Sequence, residues 1–166
     1  TYDEALKDYT KAIELNPKNE KASYTRGNLY SKNPDTYDEA LKDYTKAIDL
    51  NPDLACAYFD KLELLLCWGK YSEAQDALKE ASRFSKEDNY PIIYPFLESI
   101  LSTVNPNLGN PSDLEAIIKQ NKEIKIEWGF EELDSWLKRT EDLSEEQKTE
   151  IKKLIDMVKE HIEETS

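Results

Sequence analysis

The side chains from which acid–base, nucleophilic or metal chemistry could be built are few apart from carboxylates. There is one histidine, His161, and there are two cysteines, Cys56 and Cys67. A histidine works as a general base when a nucleophile and an orienting group stand beside it. His161 has no positioned partner in its acidic C-terminal stretch and reads as a surface residue. Cys56 and Cys67 are eleven residues apart, which on one helix is about three turns and roughly 16 Å along a shared face. That is beyond disulfide reach, so both read as reduced, semi-buried thiols of an intracellular protein. No Cys/His metal spacing and no glycine-rich phosphate loop occurs. Carboxylate pairs such as Glu145-Glu146 read as a solvated helix face. The expectation is a chain that is not an enzyme and needs no metal or cofactor.

The net charge is −13, and it is graded: −2 over residues 1–52, −4 over 53–104 and −7 over 105–166. An acidic surface repels phosphate backbones, which argues against nucleic acid as a partner. The longest apolar runs, such as Leu64–Trp68, are far too short to span a bilayer, so no membrane association is expected. No charged-then-apolar leader is visible. The chain opens on Thr1 within a repeat and reads as an excerpt of a cytoplasmic protein. Only four glycines beside 34% charged residues favour helices over sheet and tight turns.

These groups need helices to position them, and the helices announce themselves through an internal copy. Thr1–Pro17 (TYDEALKDYTKAIELNP) returns 35 residues later as Thr36–Pro52, with Glu14 against Asp49 as the single difference. A copy at this period marks a stacked array of repeats. Tyr2, Ala5, Leu6, Tyr9, Ala12 and Ile13 follow helical spacing. Thr1 with Glu4 forms a capping box at the start, and Asn16-Pro17 ends the helix. Glu20–Lys32 is a second helix. Its Gly27 costs about 1 kcal/mol relative to alanine, which implies that a neighbouring helix approaches too closely for a side chain. Asn33-Pro34-Asp35 is a turn and Thr36 caps the next helix. Leu54–Trp68 follows, ended by Gly69, and Tyr71–Phe84 repeats the earlier pattern.

The spacing Ala40, Tyr44, Ala47, Pro52 resembles the second half of a tetratricopeptide repeat, and Gly27 and Tyr30 resemble the packing residues of its first helix. The marker Tyr-x-Glu-Ala occurs at Tyr2, Tyr37 and Tyr71, at offsets of 35 and 34. The extra residue falls in the Asn33–Asp35 turn. The resemblance covers about residues 1–86: a half repeat 1–19 and repeats 20–53 and 54–88. Ser23 and Arg26 replace bulky residues of the family, Leu62 stands where a small residue is usual, and Lys86 stands at the final proline. The resemblance implies an all-α fold, a right-handed α-solenoid of antiparallel helix pairs.

Residues 89–166 lack the repeat signature but keep helical spacing. Pro91 and Pro95 suggest a helix that is regular only from about residue 95 to Val104. Asn110 reads as an N-cap with Pro111 opening a helix to about Gln120. Glu123–Trp128 alternates like a strand but has nothing to pair with, so it reads as an extended connection laying Ile124, Ile126 and Trp128 on the core. Phe130–Lys138 is a short helix with Phe130, Leu133, Trp136 and Leu137 inward. Ser144 and Gln147 make a capping box for a long last helix striped with Ile151, Leu154, Ile155, Val158 and Ile162. About nine helices result, with 89–166 read as degenerate repeats plus a capping helix of the same solenoid.

In arrays of this family the first helices of successive repeats line a concave groove. The resemblance therefore implies a protein-binding module or scaffold whose groove residues are Lys21, Tyr24, Thr25, Asn28 and Lys32 from one helix, then Phe59, Asp60 and Glu63, with Tyr90 and Tyr94 beyond. Cys56 and Cys67 are expected to contribute to it from the same helix as Phe59. Such a mixed surface suits an extended or helical peptide. Asp60 and Glu63 argue against the branch of the family that clamps a C-terminal carboxylate. Two alternatives stand beside this reading. One is self-assembly through Tyr2, Leu6, Tyr9 and Ile13; the other is a regulatory appendage of a larger enzyme.

Overall fold

The computed structural model describes residues 1–84 and 90–165. Among them are nine α-helices and no strand. The fold is all-α, as the spacing predicts. Chain contacts divide it into two compact units, Thr1–Trp68 and Gly69–Ser166. The division falls between the two helices of the repeat expected at 54–88. Lys86 lies outside the described residues. No helix is long and apolar enough to cross a membrane.

The first unit holds α1 (Tyr2–Leu15), α2 (Glu20–Tyr30), α3 (Tyr37–Leu50) and α4 (Ala55–Cys67). Each packs on the next, and the short connections make neighbours antiparallel. The copied stretches stop identically. Asn16 (φ −136°, ψ 88°) and Asn51 (φ −139°, ψ 91°) both leave the helical region, because the proline that follows disfavours it. They start differently. Thr1 Oγ1 accepts from the Glu4 N–H and closes the expected capping box. Thr36 makes no such cap, contrary to expectation. A 3-10 turn, Pro34–Thr36, has taken up the extra residue, and the Thr36 hydroxyl instead donates to the carbonyl of Tyr30 at 2.6 Å. It thus serves the end of α2 rather than the start of α3.

Between α2 and α3 the packing is close. Gly27 lies against Tyr44, and Ala22, Tyr37, Ala40, Tyr44 and Ala47 are buried. The Arg26 guanidinium donates two bonds to Asp43, at 2.7 and 2.8 Å, and a third to Thr10 Oγ1 at 3.2 Å. One side chain of α2 therefore ties α1 and α3. The paired carboxylate holds the guanidinium's pKa above its ordinary value, against the opposing effect of burial. Trp68, edge-on to Tyr37 with ring centroids 5.9 Å apart, closes the unit. Gly69 follows at φ 77°, the left-handed conformation that glycine adopts at helix ends.

The second unit holds α5 (Tyr71–Ala81), α6 (Tyr90–Val104), α7 (Leu114–Gln120), α8 (Glu131–Arg139) and α9 (Glu145–Thr165). Helix α6 is the centre: it packs on α5, α7 and α9, and Ile92, Ile93, Phe96, Leu97, Ile100 and Leu101 are fully buried. Apolar residues on most of its circumference are what a core helix requires. It is helical from Tyr90, not from residue 95. Pro91 sits in the first turn, where its missing N–H has no helical acceptor, and Pro95 is carried inside the helix. The Pro95 carbonyl accepts from the Ser99 hydroxyl at 2.8 Å. Helix α7 begins at Leu114 rather than Pro111, because Asp113, not Asn110, caps it by accepting from the Ala116 N–H at 3.0 Å.

The expected extended connection lies before α8. Ile126 is buried, and Trp128 stands edge-on to Phe96 at 6.5 Å. Phe130, Leu133, Trp136 and Leu137 are all buried. The Ser144/Gln147 capping box is present in both directions, at 2.9 and 3.2 Å. Gln147 also donates to the carbonyls of Thr103 and Val104 at 2.9 and 3.1 Å, so it caps the end of α6 as well. His161 is the clearest correction. It is 3% exposed, and its Nε2 lies 2.8 Å from the carbonyl of Ile124. The extended segment supplies a carbonyl with no ladder partner, and the buried imidazole satisfies it as Nε2–H.

Candidate functional site

Helices α2 and α4 each present a pair of residues one turn apart: Tyr24 and Asn28 on one, Cys56 and Asp60 on the other. Positions i and i+4 share a helix face, and here the two faces meet. The Tyr24 hydroxyl donates to Asp60 Oδ2 at 2.6 Å, the length of a charge-assisted bond. The Tyr24 ring rests on Tyr44 with centroids 6.1 Å apart. Asn28 lies against the same hydroxyl and favours its ionised form, but burial and the Asp60 charge outweigh it and push the Tyr24 pKa far up. The Cys56 thiol is raised as well, chiefly by burial and further by Asp60, with Tyr24 opposing. These groups stay protonated near neutrality. The cluster can donate, accept and stack; it has no activated nucleophile.

Asn28 Oδ1 is closed off from solvent without a hydrogen-bond partner. An acceptor left so carries a desolvation cost of about 1–3 kcal/mol, which the site would lose if the side chain turned toward a donor. Lys21 and Lys32 are exposed at the two ends of α2, and Thr25 is half-buried with its hydroxyl donated to the Lys21 carbonyl at 2.9 Å.

Comparison with family models matches residues 1–33 to a TPR repeat and residues 20–54 to a tetratricopeptide repeat. This stretch belongs to the tetratricopeptide repeat family. The matched residues stop short of the 86 expected from the sequence. A search of curated proteins found no match.

The repeat framework explains which expected groove residues come together. Within the first unit Tyr24, Asn28 and Asp60 meet, with Lys21 and Thr25 also on α2; the helix ends at Tyr30, so Lys32 lies in the turn after it rather than on the helix as expected. Phe59 and Glu63, also expected in the groove, are 2% and 7% exposed and belong to the packing around α4. Tyr90 and Tyr94 are on α6, in the second unit. Tyr90 is edge-on to Phe84 at 6.5 Å, and burial raises the Tyr94 hydroxyl.

Arg26 and Asp43 were not foreseen as a pair. The signal was present in the tetratricopeptide phase: a cation at a position the family fills with bulk, facing a helix whose packing side carries an aspartate. On α1, Ile13 is buried, Leu6 and Tyr9 are half-buried, and the Tyr2 hydroxyl donates to the Leu29 carbonyl at 3.0 Å.

Proposed function

We propose that the chain is a non-catalytic protein-interaction module that holds a peptide segment of a partner along the α2–α4 face. The observation that carries this reading is the Tyr24–Asp60 bond. It joins the first helices of two successive repeats into one partly exposed surface. Aromatic area there lies beside hydrogen-bonding groups, with lysines at both ends, and such surfaces bind peptides through a few anchors. Tetratricopeptide repeats generally mediate protein–protein contacts. A scaffold or adaptor role in the cytoplasm agrees with the acidic, helical sequence.

A displayed peptide library selected on the intact chain tests the reading. The selected peptides should lose at least tenfold in affinity for Asn28→Ala and for Lys21→Glu. Both variants should melt within a few degrees of the parent: no bond of the Lys21 side chain is seen among the described residues, and Asn28→Ala offsets its lost contact with the Tyr24 hydroxyl by removing an unpartnered buried oxygen. Peptides that bind the parent and both variants equally would place recognition elsewhere.

A further inference from the structure

Residues 123–128 (EIKIEW) are built like a strand and pair with none among the described residues. Burial alternates along them: Glu123, Lys125 and Glu127 are exposed, Ile124 and Trp128 are half-buried, and Ile126 is buried. This alternation fixes where the backbone groups point. In an extended chain the N–H and C=O of one residue share an edge, and successive residues take opposite edges. One edge is occupied within the second unit. The Ile124 N–H donates to the Asn121 carbonyl at 2.9 Å, and the Ile124 carbonyl lies 2.8 Å from His161 Nε2. The other edge carries the N–H and C=O groups of Lys125 and Glu127, and among the described residues no hydrogen bond reaches them. Backbone groups left so are a template for a further strand.

We propose that the Lys125/Glu127 edge docks an extended segment of a partner polypeptide, added as an antiparallel strand with basic, acidic and basic residues at alternate positions. The exposed side chains of the segment read minus, plus, minus at Glu123, Lys125 and Glu127. Directly opposed residues of paired strands favour opposite charges, so the partner reads plus, minus, plus. Its net positive charge is drawn to the −7 of residues 105–166. Ile126 in the core and Trp128 edge-on to Phe96 hold the segment in place, so binding need not order it. A second copy of the chain fits less well. Paired about Lys125, two copies would set Lys125 against Lys125 and Glu123 against Glu127. Paired about Ile126, they would leave Glu123 facing Gly129, and each copy carries −13. This edge lies in the second unit and is independent of the α2–α4 face.

The probe is a fluorescent peptide of lysine, valine, glutamate, valine and lysine in that order, blocked at both ends. Anisotropy with the full chain should show saturable binding. Amide hydrogen exchange should slow at Lys125 and Glu127 when the peptide binds and stay unchanged at Ile126, whose N–H takes the other edge. N-methylation of the peptide's glutamate, which faces Lys125, should abolish binding, and N-methylation of its valines should be tolerated. Lys125→Glu in the chain should weaken binding by about fivefold, the scale of one cross-strand charge pair. A peptide with lysine in place of the glutamate should regain that loss. Asn28→Ala should leave binding unchanged, which separates this edge from the peptide face of the first unit. Absence of binding at about 1 mM peptide would overturn the proposal, as would equal binding by the peptide methylated at its glutamate. Protection of Lys125 and Glu127 without peptide, rising with chain concentration, would overturn the choice of partner and assign the edge to a second copy.

Discussion

A Cβ atom on Gly27 would sit 2.9 Å from Cδ1 and Cε1 of the Tyr44 ring, closer than carbon atoms approach. Tyr44 is 2% exposed, so its ring has nowhere to move. Replacing a helical glycine by alanine ordinarily gains about 1 kcal/mol. Here overpacking of about 1–3 kcal/mol opposes it. Gly27→Ala should therefore leave the chain less stable by about 1 kcal/mol in urea unfolding, and Gly27→Leu by several times more. A stabilised Gly27→Ala variant would show that α2 and α3 can separate freely.

The Arg26–Asp43 fork should be strongly coupled. Asp43 has a 6% exposed side chain and Arg26 a 19% exposed one. Truncating the aspartate leaves a half-desolvated cation with only Thr10 and the Tyr30 ring beside it. Breaking such a pair costs about 3–5 kcal/mol when fully buried. The residual exposure of Arg26 brings the expectation for Asp43→Ala to about 2–3 kcal/mol. Arg26→Met with Asp43→Leu should recover most of that loss. A double-mutant cycle by denaturant unfolding with a coupling below about 0.5 kcal/mol would contradict the fork.

Acid should relieve one strain in the second unit. Burial raises the Glu98 carboxyl above its ordinary value, against bonds from the Asn110 backbone and Ser112 that lower it. A carboxyl raised in the folded state binds its proton more tightly than in the unfolded chain. Below the unfolded value both states are protonated and nothing is lost. As pH rises through the folded value, ionisation penalises the fold. Glu98→Gln should thus raise the melting temperature at pH 7 more than at pH 4. Carboxyl NMR titration should place Glu98 above 4.5, and a lower value would refute the assignment.

Cys56 reports on the Tyr24–Asp60 contact. Its thiol is raised by burial and by Asp60, so its alkylation by iodoacetamide at pH 8 should be slower than that of a free thiol. Asp60→Asn removes the charge that opposes thiolate formation and should speed the reaction. Mass spectrometry distinguishes Cys56 from Cys67, which is 6% exposed and should stay unmodified. Unchanged Cys56 kinetics would separate it from the Tyr24–Asp60 cluster.

Much of the fold was legible because helix signals are local. The stops at Asn16 and Asn51 depend on the next proline, the capping boxes at Thr1 and Ser144 on the residue three places on, and the closeness at Gly27 on the missing side chain. Errors arose where a distant group competed. Thr36 turned its hydroxyl back to Tyr30 because the inserted residue wound the turn into a 3-10 segment. Asp113 outcompeted Asn110 as a cap. Pro95 was accommodated inside α6, which its packing holds helical. Of the residues expected to share a surface, Tyr24, Asn28 and Asp60 do meet, and repeat phase could bring them together because i and i+4 fix a face. Phe59 and Glu63 could not, because phase says which way a side chain points and not how deeply its surroundings cover it.

By itself the sequence determined the repeat, its period and the glycine that sets the α2–α3 distance, all of which are encoded within a few turns of helix. It also determined that α1 and α3 are the same helix. The tertiary structure alone decided that Asp43 is buried against Arg26 while Asp8 faces solvent, and that His161 is buried on the Ile124 carbonyl. Identical or unremarkable residues acquired different roles from what packs against them, and burial and pairing are properties of neighbours far away along the chain.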